Sequence, residues 1–312
     1  MEAASKTRTR VVGPMLHTPF GLSGPDSRKT YRERSHASMA SPMLQDFTTP
    51  VIRNVDLGRG NWLLEIQAES AAVEMRPAQF FMIGVPGSDV LLRRPFSVCG
   101  LPGTFSDGRA GAVQILYRVY GRGTKLLASL GPGAPLHVLG PLGHGFTIPP
   151  NKKTKIVLVA GGIGSAPFPA FVAELDREGR RATLIYGARS ADELPLLDWF
   201  RERCDSVVVT TDDGSLGACG LVTGPLEQLL HTPEADPIHL YVCGPTPMLK
   251  AVAKMALASG VVCDLALEAP MACGFGVCLG CVVPTHEQAN GPVAFERVCV
   301  EGPVMRAERM AW

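Results

Sequence analysis

The chain lacks any hydrophobic stretch with the length and uniformity of a membrane helix. Its most apolar long uncharged run, residues 156–173, contains Gly161, Gly162 and Gly164 together with two prolines, a mixture typical of a strand, a loop and a helix start. Residues 1–10 lack the apolar centre of a secretory signal. We therefore predict no membrane span, and we expect a cytoplasmic protein rather than a secreted one.

The sequence also has little net charge and no evident internal repeat. Its formal charges sum to +1, which removes the general electrostatic argument for binding nucleic acid. Apolar residues make up 46% of the 312 positions. A chain of this length and composition can bury the cores of two ordinary domains and leaves room for one further small module.

Glycine and proline, in contrast, are frequent, with 34 and 26 residues. They indicate many turns and several places where the backbone approaches a ligand closely. Residues 1–44 are rich in Ser, Thr, Pro, Arg and Lys and show no apolar period, which favours a disordered extension. A start at Met39 or Met43 would remove most of it. A targeting peptide is the alternative, although acidic residues among the basic ones weaken it.

Residues 45–150 show short runs of β-type residues separated by turns. The runs are Val51–Val55, Trp62–Ile66, Gln79–Val85, Ala112–Val119 and Pro135–Leu139. Several short strands at this spacing predict a small antiparallel barrel.

Residues 151–265 alternate between predicted strands and predicted helices. The strands are Lys155–Ala160, Thr183–Tyr186, Ser206–Thr210 and Ile238–Val242. The helices are Pro167–Glu178, Asp192–Arg203, Leu221–Leu230 and Pro245–Ser259. This alternation predicts a parallel, doubly wound sheet. Residues 266–312 remain as a small third module.

Four of the nine cysteines crowd into this last module. Their spacing is C-x₄-C-x₂-C…C, which is the plant-type spacing for a [2Fe–2S] cluster; the residues are Cys273, Cys278, Cys281 and Cys299. Intervening glycines let the loop curl and aim backbone N–H groups at the sulfurs. Zinc and disulfides are the alternatives, but zinc motifs usually show two similar close pairs. Other cysteines are expected to be plain thiols, namely Cys99, Cys204, Cys219 and Cys263.

Three further segments carry phosphate-binding chemistry. Arg94 lies in the run Arg93-Arg94-Pro95-Phe96-Ser97, and an arginine at a strand edge can bind a diphosphate in bidentate fashion. The turn Gly121–Thr124 precedes an apparent helix, whose N-terminus suits phosphate. The loop 161–167 joins a strand to a helix and can receive the pyrophosphate of a nicotinamide nucleotide. Cys243-Gly244 ends a later strand on the same edge of the sheet, where ligands bind in open α/β folds.

In this order, the three segments resemble the ferredoxin–NADP reductase superfamily. From about residue 47 onward the chain resembles one of its subgroups, the electron-transfer subunits of NAD-dependent dihydroorotate dehydrogenase. Supporting segments are Gly140–Phe146, Tyr186–Ser190, Thr211–Ser215, Cys243–Pro245 and Val298–Pro303. The resemblance implies an antiparallel β-barrel flavin domain, an α/β doubly wound nucleotide-binding domain and a small C-terminal [2Fe–2S] module. Ala78 and His144 depart from the family pattern, outside the proposed phosphate and cluster contacts.

The resemblance also implies where three cofactors bind. FAD contacts are expected at Arg94, Pro95, Phe96, Ser97, Leu116, Tyr117, Arg118, Gly123 and Thr124. NAD contacts are expected at Gly161, Gly162, Gly164, Asp212, Cys243 and Gly244, with Cys243 near the nicotinamide ring. The four C-terminal cysteines match the family's cluster ligands. Asp212 and Asp213 follow a strand in the region where the superfamily handles the adenosine ribose, and carboxylates there would repel a 2′-phosphate and so select NAD over NADP.

These carriers impose an order on electron transfer. NAD accepts a hydride and a [2Fe–2S] cluster carries one electron, so FAD, which handles both, stands between them. An FMN site for dihydroorotate oxidation would need a (β/α)₈ barrel of about 250 residues, for which this chain has no room. The resemblance therefore implies a separate FMN-containing catalytic subunit, in a heterotetramer of two chains of each kind serving pyrimidine biosynthesis. The alternatives are an electron-input subunit of a ferredoxin-linked NADH:NADP oxidoreductase or a hydrogenase, and a redox sensor.

Overall fold

The computed structural model describes residues 10–11, 44–232, 236–286 and 291–312. The extension predicted over residues 1–44 therefore lies almost wholly outside the described residues. Its described part includes strand β1 (Arg10–Val11), which pairs antiparallel with the start of β2 (Gln45–Gly58). Within the described ranges, no helix combines the length and the apolarity needed to cross a bilayer.

The predicted antiparallel barrel is confirmed. Its remaining strands are β3 (Asn61–Gln67), β4 (Phe80–Gly84), β5 (Arg94–Ser97), β6 (Ala112–Arg118) and β7 (Pro135–Leu142). They lie in the order β5-β4-β7-β2-β3-β6, and two short helices accompany them, α1 (Glu69–Glu74) and α2 (Arg122–Ala128). Just past β5, Gly100 exchanges backbone hydrogen bonds of 2.9 and 3.0 Å with Gln114 of β6. This pairing joins the β5 edge of the sheet to the β6 edge and so nearly closes the barrel.

Strand β6 shows how the barrel divides its residues between two surfaces. Val113, Ile115 and Tyr117 are buried in the barrel core. Leu116, which points the other way because side chains alternate along a strand, packs with Ala166 of the neighbouring domain. The same strand therefore fills the barrel core and forms part of the domain interface.

The predicted doubly wound sheet is also confirmed. Its parallel strands are β8 (Lys155–Gly161), β9 (Ala182–Ala188), β10 (Ser206–Thr211), β11 (Ala218–Cys219), β12 (Ile238–Cys243) and β13 (Val262–Ala266). The order is β11-β10-β9-β8-β12-β13. The helices are α3 (Phe168–Arg177), α4 (Leu197–Arg203), α5 (Thr223–His231) and α6 (Thr246–Ala258).

Both faces of this sheet are buried by helices. Val157 and Val159 of β8 share a core with α5 and α6, whereas Ile156 and Leu158 share a second core with α3 and α4. The strand order reverses between β8 and β12, so the loops that follow these two strands diverge to opposite faces. Such a switch point opens a crevice at the carboxyl ends of the strands, where ligands bind in this class of fold.

One predicted helix differs in the structure. The segment Asp192–Arg203 is divided into a 3₁₀ turn, Ala191–Glu193, and the later helix α4, which begins at Leu197. Pro195 has no backbone N–H to donate, and Leu196 adopts a left-handed backbone conformation with φ of 60°. A continuous helix cannot pass through these two residues, so the chain turns there and leaves Glu193 free to face the barrel.

The C-terminal region folds back and contacts both the barrel and the doubly wound sheet. Strands β14 (Val282–His286) and β15 (Val293–Arg297) form a hairpin, and β16 (Val304–Arg306) pairs antiparallel with β13. The sequence patterns predicted neither β13 nor these three strands. The last three are three to five residues long and mix polar with apolar residues, so their strand conformation depends on pairing rather than on local preference.

Candidate functional site

The four C-terminal cysteines lie in two neighbouring pairs. Cys278 is close enough to Cys273, and Cys281 to Cys299, for each to influence the ionisation of its neighbour. Within the described part of the chain, no three His, Cys, Asp or Glu side chains converge where a single metal ion could bind. A structural zinc ion needs four ligands around one point, whereas a two-iron cluster takes two thiolates at each iron. The pairs therefore fit a [2Fe–2S] cluster better than zinc, and all four thiols are free.

The backbone of the cluster loop presents N–H groups to these sulfurs. Burial opposes ionisation of Cys273, yet hydrogen bonds from the backbone N–H groups of Cys278, Phe275 and Val277 bring its pKa below the usual range. Burial raises the pKa of Cys299, which receives an N–H bond from Gly276. Hydrogen bonds of this kind stabilise negative charge on sulfur and are one of the determinants of cluster potential.

The cluster loop packs directly on the barrel. Gly274, next to Cys273, contacts Met82 of β4. In the β4–β5 ladder Met82 pairs with Pro95, a residue of the predicted flavin motif. Cys281 and Cys299 share one core with Met82. The candidate cluster and the candidate flavin strand are therefore neighbours across a single strand.

The flavin motif Arg94–Ser97 forms β5, and its arginine lies beside the first turn of α2. The helix begins at Arg122, so Gly123 and Thr124 belong to it, whereas the sequence predicted a turn ahead of the helix over Gly121–Thr124. Arg93 is engaged by Asp46 at 2.8 Å. None of the carboxylates in the described ranges pairs with Arg94, whose Nε lies 3.0 Å from where a Cβ atom on Gly123 would stand. The Thr124 hydroxyl accepts hydrogen bonds from the N–H groups of Tyr120 and Gly121, at 2.9 and 3.1 Å, and so fixes the N-terminal end of α2. A guanidinium beside a glycine turn fits a diphosphate.

The second flavin segment, Leu116 to Arg118, is divided between two environments. Tyr117 is buried in the barrel, where its hydroxyl donates to Asn54 at 3.1 Å and its ring meets Phe96 edge-on at 5.8 Å. Burial raises the pKa of Tyr117 to about 12. Only the backbone of Tyr117 is therefore available to a ligand outside the barrel, whereas the side chain of Arg118 emerges at the domain interface.

Arg118 is held there by an acidic residue that the sequence did not predict. Its Nη2 donates to Glu193 Oε1 at 2.9 Å, and Arg189 Nε donates to the other carboxylate oxygen at 3.0 Å. The two arginines, opposed by burial, lower the pKa of Glu193 to about 2. The contact joins residues 75 positions apart, so no local pattern could have found it.

A cavity of about 640 Å³ lies at the carboxyl edge of the sheet and extends to Arg118. This volume lies in the range that small-molecule sites occupy. The structure brings together here most of the predicted nicotinamide-nucleotide residues, which are Gly161, Gly162, Gly164, Asp212 and Gly244. Lining residues that the sequence did not predict include Tyr120, Thr223, Met248 and Glu268.

The glycine loop reaches this cavity by packing against the end of β12. A Cβ atom on Gly164 would stand 2.5 Å from the carbonyl oxygen of Cys243, so only glycine fits. Cys243 itself is buried beneath the cavity wall. Burial, and after it the charge of Glu268, raise the pKa of the Cys243 thiol well above its usual value. The Cys243 side chain is therefore a neutral thiol packed beneath the cavity wall, not a thiolate.

The two aspartates after β10 have different surroundings. Asp213 accepts hydrogen bonds from the backbone N–H and the hydroxyl of Ser215, at 2.9 and 2.6 Å, and so closes a turn. Asp212 lines the cavity. Asp212 therefore lies at the cavity, whereas the Asp213 carboxylate is occupied within its own turn.

Comparison with known families decides the assignment. The family model described as the iron–sulfur cluster binding domain of dihydroorotate dehydrogenase B matches residues 268–311. A protein named dihydroorotate dehydrogenase B (NAD(+)), electron transfer subunit, from Caldanaerobacter subterraneus subsp. tengcongensis is 37% identical over 246 residues, which are 79% of this chain and 91% of the relative. Its namesake from Desulforamulus reducens is 33% identical over 271 residues, covering 86% of this chain and 100% of the relative. The chain belongs to this family.

A solved structure supports the fold and the cofactor set of these electron transfer subunits. The NADH-dependent reduced ferredoxin–NADP oxidoreductase, described in the context of flavin-based electron bifurcation, is 29% identical with a TM-score of 0.72; the match covers 85% of this chain and 90% of that one. The ferredoxin reductase of carbazole 1,9a-dioxygenase, at 22% identity and a TM-score of 0.56 over 70% of this chain and 67% of its own, shows the fold alone.

Membership of the dihydroorotate dehydrogenase B electron transfer family agrees with the arrangement of the sites. The matched cluster-binding region contains all four paired cysteines. A second family model, the oxidoreductase NAD-binding domain, matches residues 158–254 and so contains both the glycine loop and Asp212. The family's cofactors are thus FAD, a [2Fe–2S] cluster and NAD, and the chain is the electron-transfer component of an oxidoreductase.

Proposed function

We propose that this chain passes electrons from a dihydroorotate-oxidising catalytic subunit, by way of a [2Fe–2S] cluster and FAD, to NAD⁺ in pyrimidine biosynthesis. The observation that carries this proposal is the position of the cluster loop, which packs on β4 beside the flavin motif of β5. When bound, the flavin exchanges single electrons with iron and a hydride with nicotinamide. The chain's own residues hold these groups on adjacent elements.

Individual residues are proposed to bind as follows. Cys273 with Cys278, and Cys281 with Cys299, hold the two irons. Arg94 and the start of α2 at Gly123 and Thr124 would hold the flavin diphosphate, and Pro95, Phe96, Ser97 and Leu116 to Arg118 would supply the remaining flavin contacts. Gly161, Gly162, Gly164 and Gly244 accommodate the nicotinamide nucleotide above Cys243. Asp212 accepts hydrogen bonds from the adenosine ribose. Convergence of the glycines and Asp212 on one cavity supports the nucleotide assignments.

The catalytic subunit is proposed to dock on an apolar surface around the cluster loop. This docking surface consists of exposed residues of the loop and of the outward face of the β14–β15 hairpin, namely Phe275, Val277, Leu279, Val282, Val293 and Phe295. Exposed apolar residues grouped in this way mark interaction sites. We propose that the partner carries FMN, that two chains of each kind assemble, and that the complex is cytoplasmic.

Anaerobic coexpression with a candidate catalytic subunit tests the proposal. Purified complex is expected to form orotate from dihydroorotate and reduce NAD⁺ in equal amounts, and a Cys278→Ser variant is expected to lose the NAD⁺ reduction. A chain purified without iron, sulfide or flavin contradicts the assignment.

A second candidate function is electron input to a ferredoxin-linked NAD(P)H oxidoreductase, which the structural similarity at 29% identity favours. Electron donors distinguish the two functions. NAD⁺ reduction that requires reduced ferredoxin, and that dihydroorotate with its dehydrogenase cannot support, would favour this second candidate.

A further inference from the structure

A charged pair lies beside the cluster-binding loop. Arg297, the last residue of β15, donates from Nη1 to the carbonyl oxygen of Gly276 at 3.1 Å. Gly276 stands midway between Cys273 and Cys278. Arg297 also precedes Cys299 by two positions, so its guanidinium connects the two segments that supply the cysteines.

Glu301 completes this arrangement from the other side of Cys299. Its carboxylate accepts hydrogen bonds from Arg297 Nε, at 3.1 and 3.2 Å, and from the Arg297 backbone N–H at 2.7 Å. In return, the Glu301 backbone N–H donates to the Arg297 carbonyl at 2.9 Å. The turn that carries Cys299 is therefore closed by both residues. Their side chains are 33% and 31% exposed, so solvent screens the charges only in part.

The guanidinium lies against the cluster loop, because a Cβ atom on Gly276 would stand 3.0 Å from Arg297 Nη1. Arginine keeps its positive charge throughout the physiological pH range. Reduction adds one negative charge to a [2Fe–2S] cluster, so a nearby positive charge favours reduction and a nearby negative charge opposes it.

We infer that Arg297 and Glu301 set the reduction potential of the cluster in opposite directions, Arg297 raising it and Glu301 lowering it. The two are positioning residues: they ligate no iron, and they act through charge and through the shape of the cysteine loops. The inference rests on the proposed ligation by Cys273, Cys278, Cys281 and Cys299. In this inference the pair sets the net charge beside the cluster, through which electrons enter the chain.

The test is a redox titration of the purified holoprotein, followed by the electron paramagnetic resonance signal of the reduced cluster. Arg297→Gln is expected to shift the midpoint potential to more negative values, Glu301→Gln to more positive values, and Arg297→Lys to lie close to the parent. Both glutamine variants break the same ion pair, so a purely structural role moves both potentials in the same direction. Arg309→Gln is the matched control, because its partner Glu296 lies on the opposite face of the hairpin.

Iron and sulfide content separates this inference from the proposed function. A parent chain without a cluster contradicts the function, whereas a loaded parent whose glutamine variants shift together, or do not shift, overturns the inference alone. If Arg297→Gln fails to retain its cluster, Glu301→Gln decides the matter: a rise in potential supports the inference, and a fall or an unchanged value overturns it.

Discussion

Gly274 lies so close to Met82 that a Cβ atom on Gly274 would stand 2.4 Å from Met82 Cγ and 3.3 Å from Leu142 Cδ1. Gly274 also has a φ of +82°, in the left-handed region that favours glycine. Since Met82 pairs with Pro95 in the β4–β5 ladder, this contact fixes the distance between the cluster loop and the flavin strand. Close packing at one glycine thus couples the two proposed electron-carrier sites.

Gly274→Ala is expected to destabilise the cluster module. Backbone strain and overpacking against Met82 together should lower the free energy of unfolding by about 2–4 kcal/mol. Urea unfolding and the iron content of purified protein measure the effect. Gly280→Ala, in the same loop, is the matched control, since a Cβ atom there would meet only Cys278 Sγ at an ordinary 3.5 Å. An equal loss of stability in the Gly274 and Gly280 variants would contradict the packing argument.

Asp212→Ser is expected to relax the preference for NADH over NADPH. Removing the carboxylate from the cavity removes its repulsion of a 2′-phosphate, and kcat/KM for NADPH relative to NADH should rise about tenfold, equivalent to about 1.4 kcal/mol. Asp213→Ser serves as the control, because the Asp213 carboxylate is occupied by Ser215. Dye reduction assays with both nucleotides provide the ratio; a larger change in the Asp213 variant would reverse the assignment.

The Arg118–Glu193 ion pair should make domain association depend on pH. Because the pKa of Glu193 falls from 4.5 to about 2 on folding, its stabilisation is complete above pH 4.5 and is lost as the pH falls toward 2. Glu193→Gln should therefore reduce the free energy of unfolding at pH 7 by about 1 kcal/mol and have progressively less effect below pH 4.5.

Denaturant unfolding between pH 7 and pH 3 measures this difference. Asp198→Asn is the control, since Asp198 pairs with Arg201 on the exposed surface of α4 and should change stability little at either pH. A Glu193→Gln effect that persists undiminished at pH 3 would show that the ion pair is not its cause.

Phe295→Glu is expected to weaken docking of the catalytic subunit. Phe295 is 69% exposed and belongs to the proposed docking surface, and an isolated carboxylate there would be desolvated on assembly. The dissociation constant for the partner should rise about tenfold or more, while NADH-dependent dye reduction by the separate subunit is retained. Leu257→Glu, on the exposed side of α6, provides the control for a surface charge elsewhere. Unchanged binding by the Phe295 variant would exclude this surface.

Much of the fold was predictable because the relevant signals are local. The glycine loop after β8 and the proline at the start of α3 follow from backbone geometry within a few residues, and the strand–helix rhythm predicted the doubly wound sheet. The exception, Asp192–Arg203, was apolar enough for a helix, but Pro195 and Leu196 interrupt it. The interruption is itself a local feature, because a proline inside a segment removes a backbone donor that a continuous helix needs.

Other features had no local signal. Glu193 pairs with Arg118, which lies 75 positions earlier in the chain. Strand β16 exists because β13 offers an unpaired edge, and Met82 becomes a neighbour of the cluster loop only when the chain folds back onto the barrel. Contacts of this kind depend on the packing of whole elements, which no short segment specifies.

By itself, the amino-acid sequence predicted the chemistry of this protein: the cysteine spacing indicates which thiols would share a cluster, and the glycines next to strand ends indicate where phosphates would be received. Tertiary structure decided which polar side chains line the cavity: Asp212 does, whereas Asp213 closes a turn with Ser215. It also decided which candidate sites become neighbours. The reason is physical. Ligand type follows from side-chain chemistry and spacing along the chain, whereas proximity and burial follow from how β4, β5 and the cluster loop pack in three dimensions.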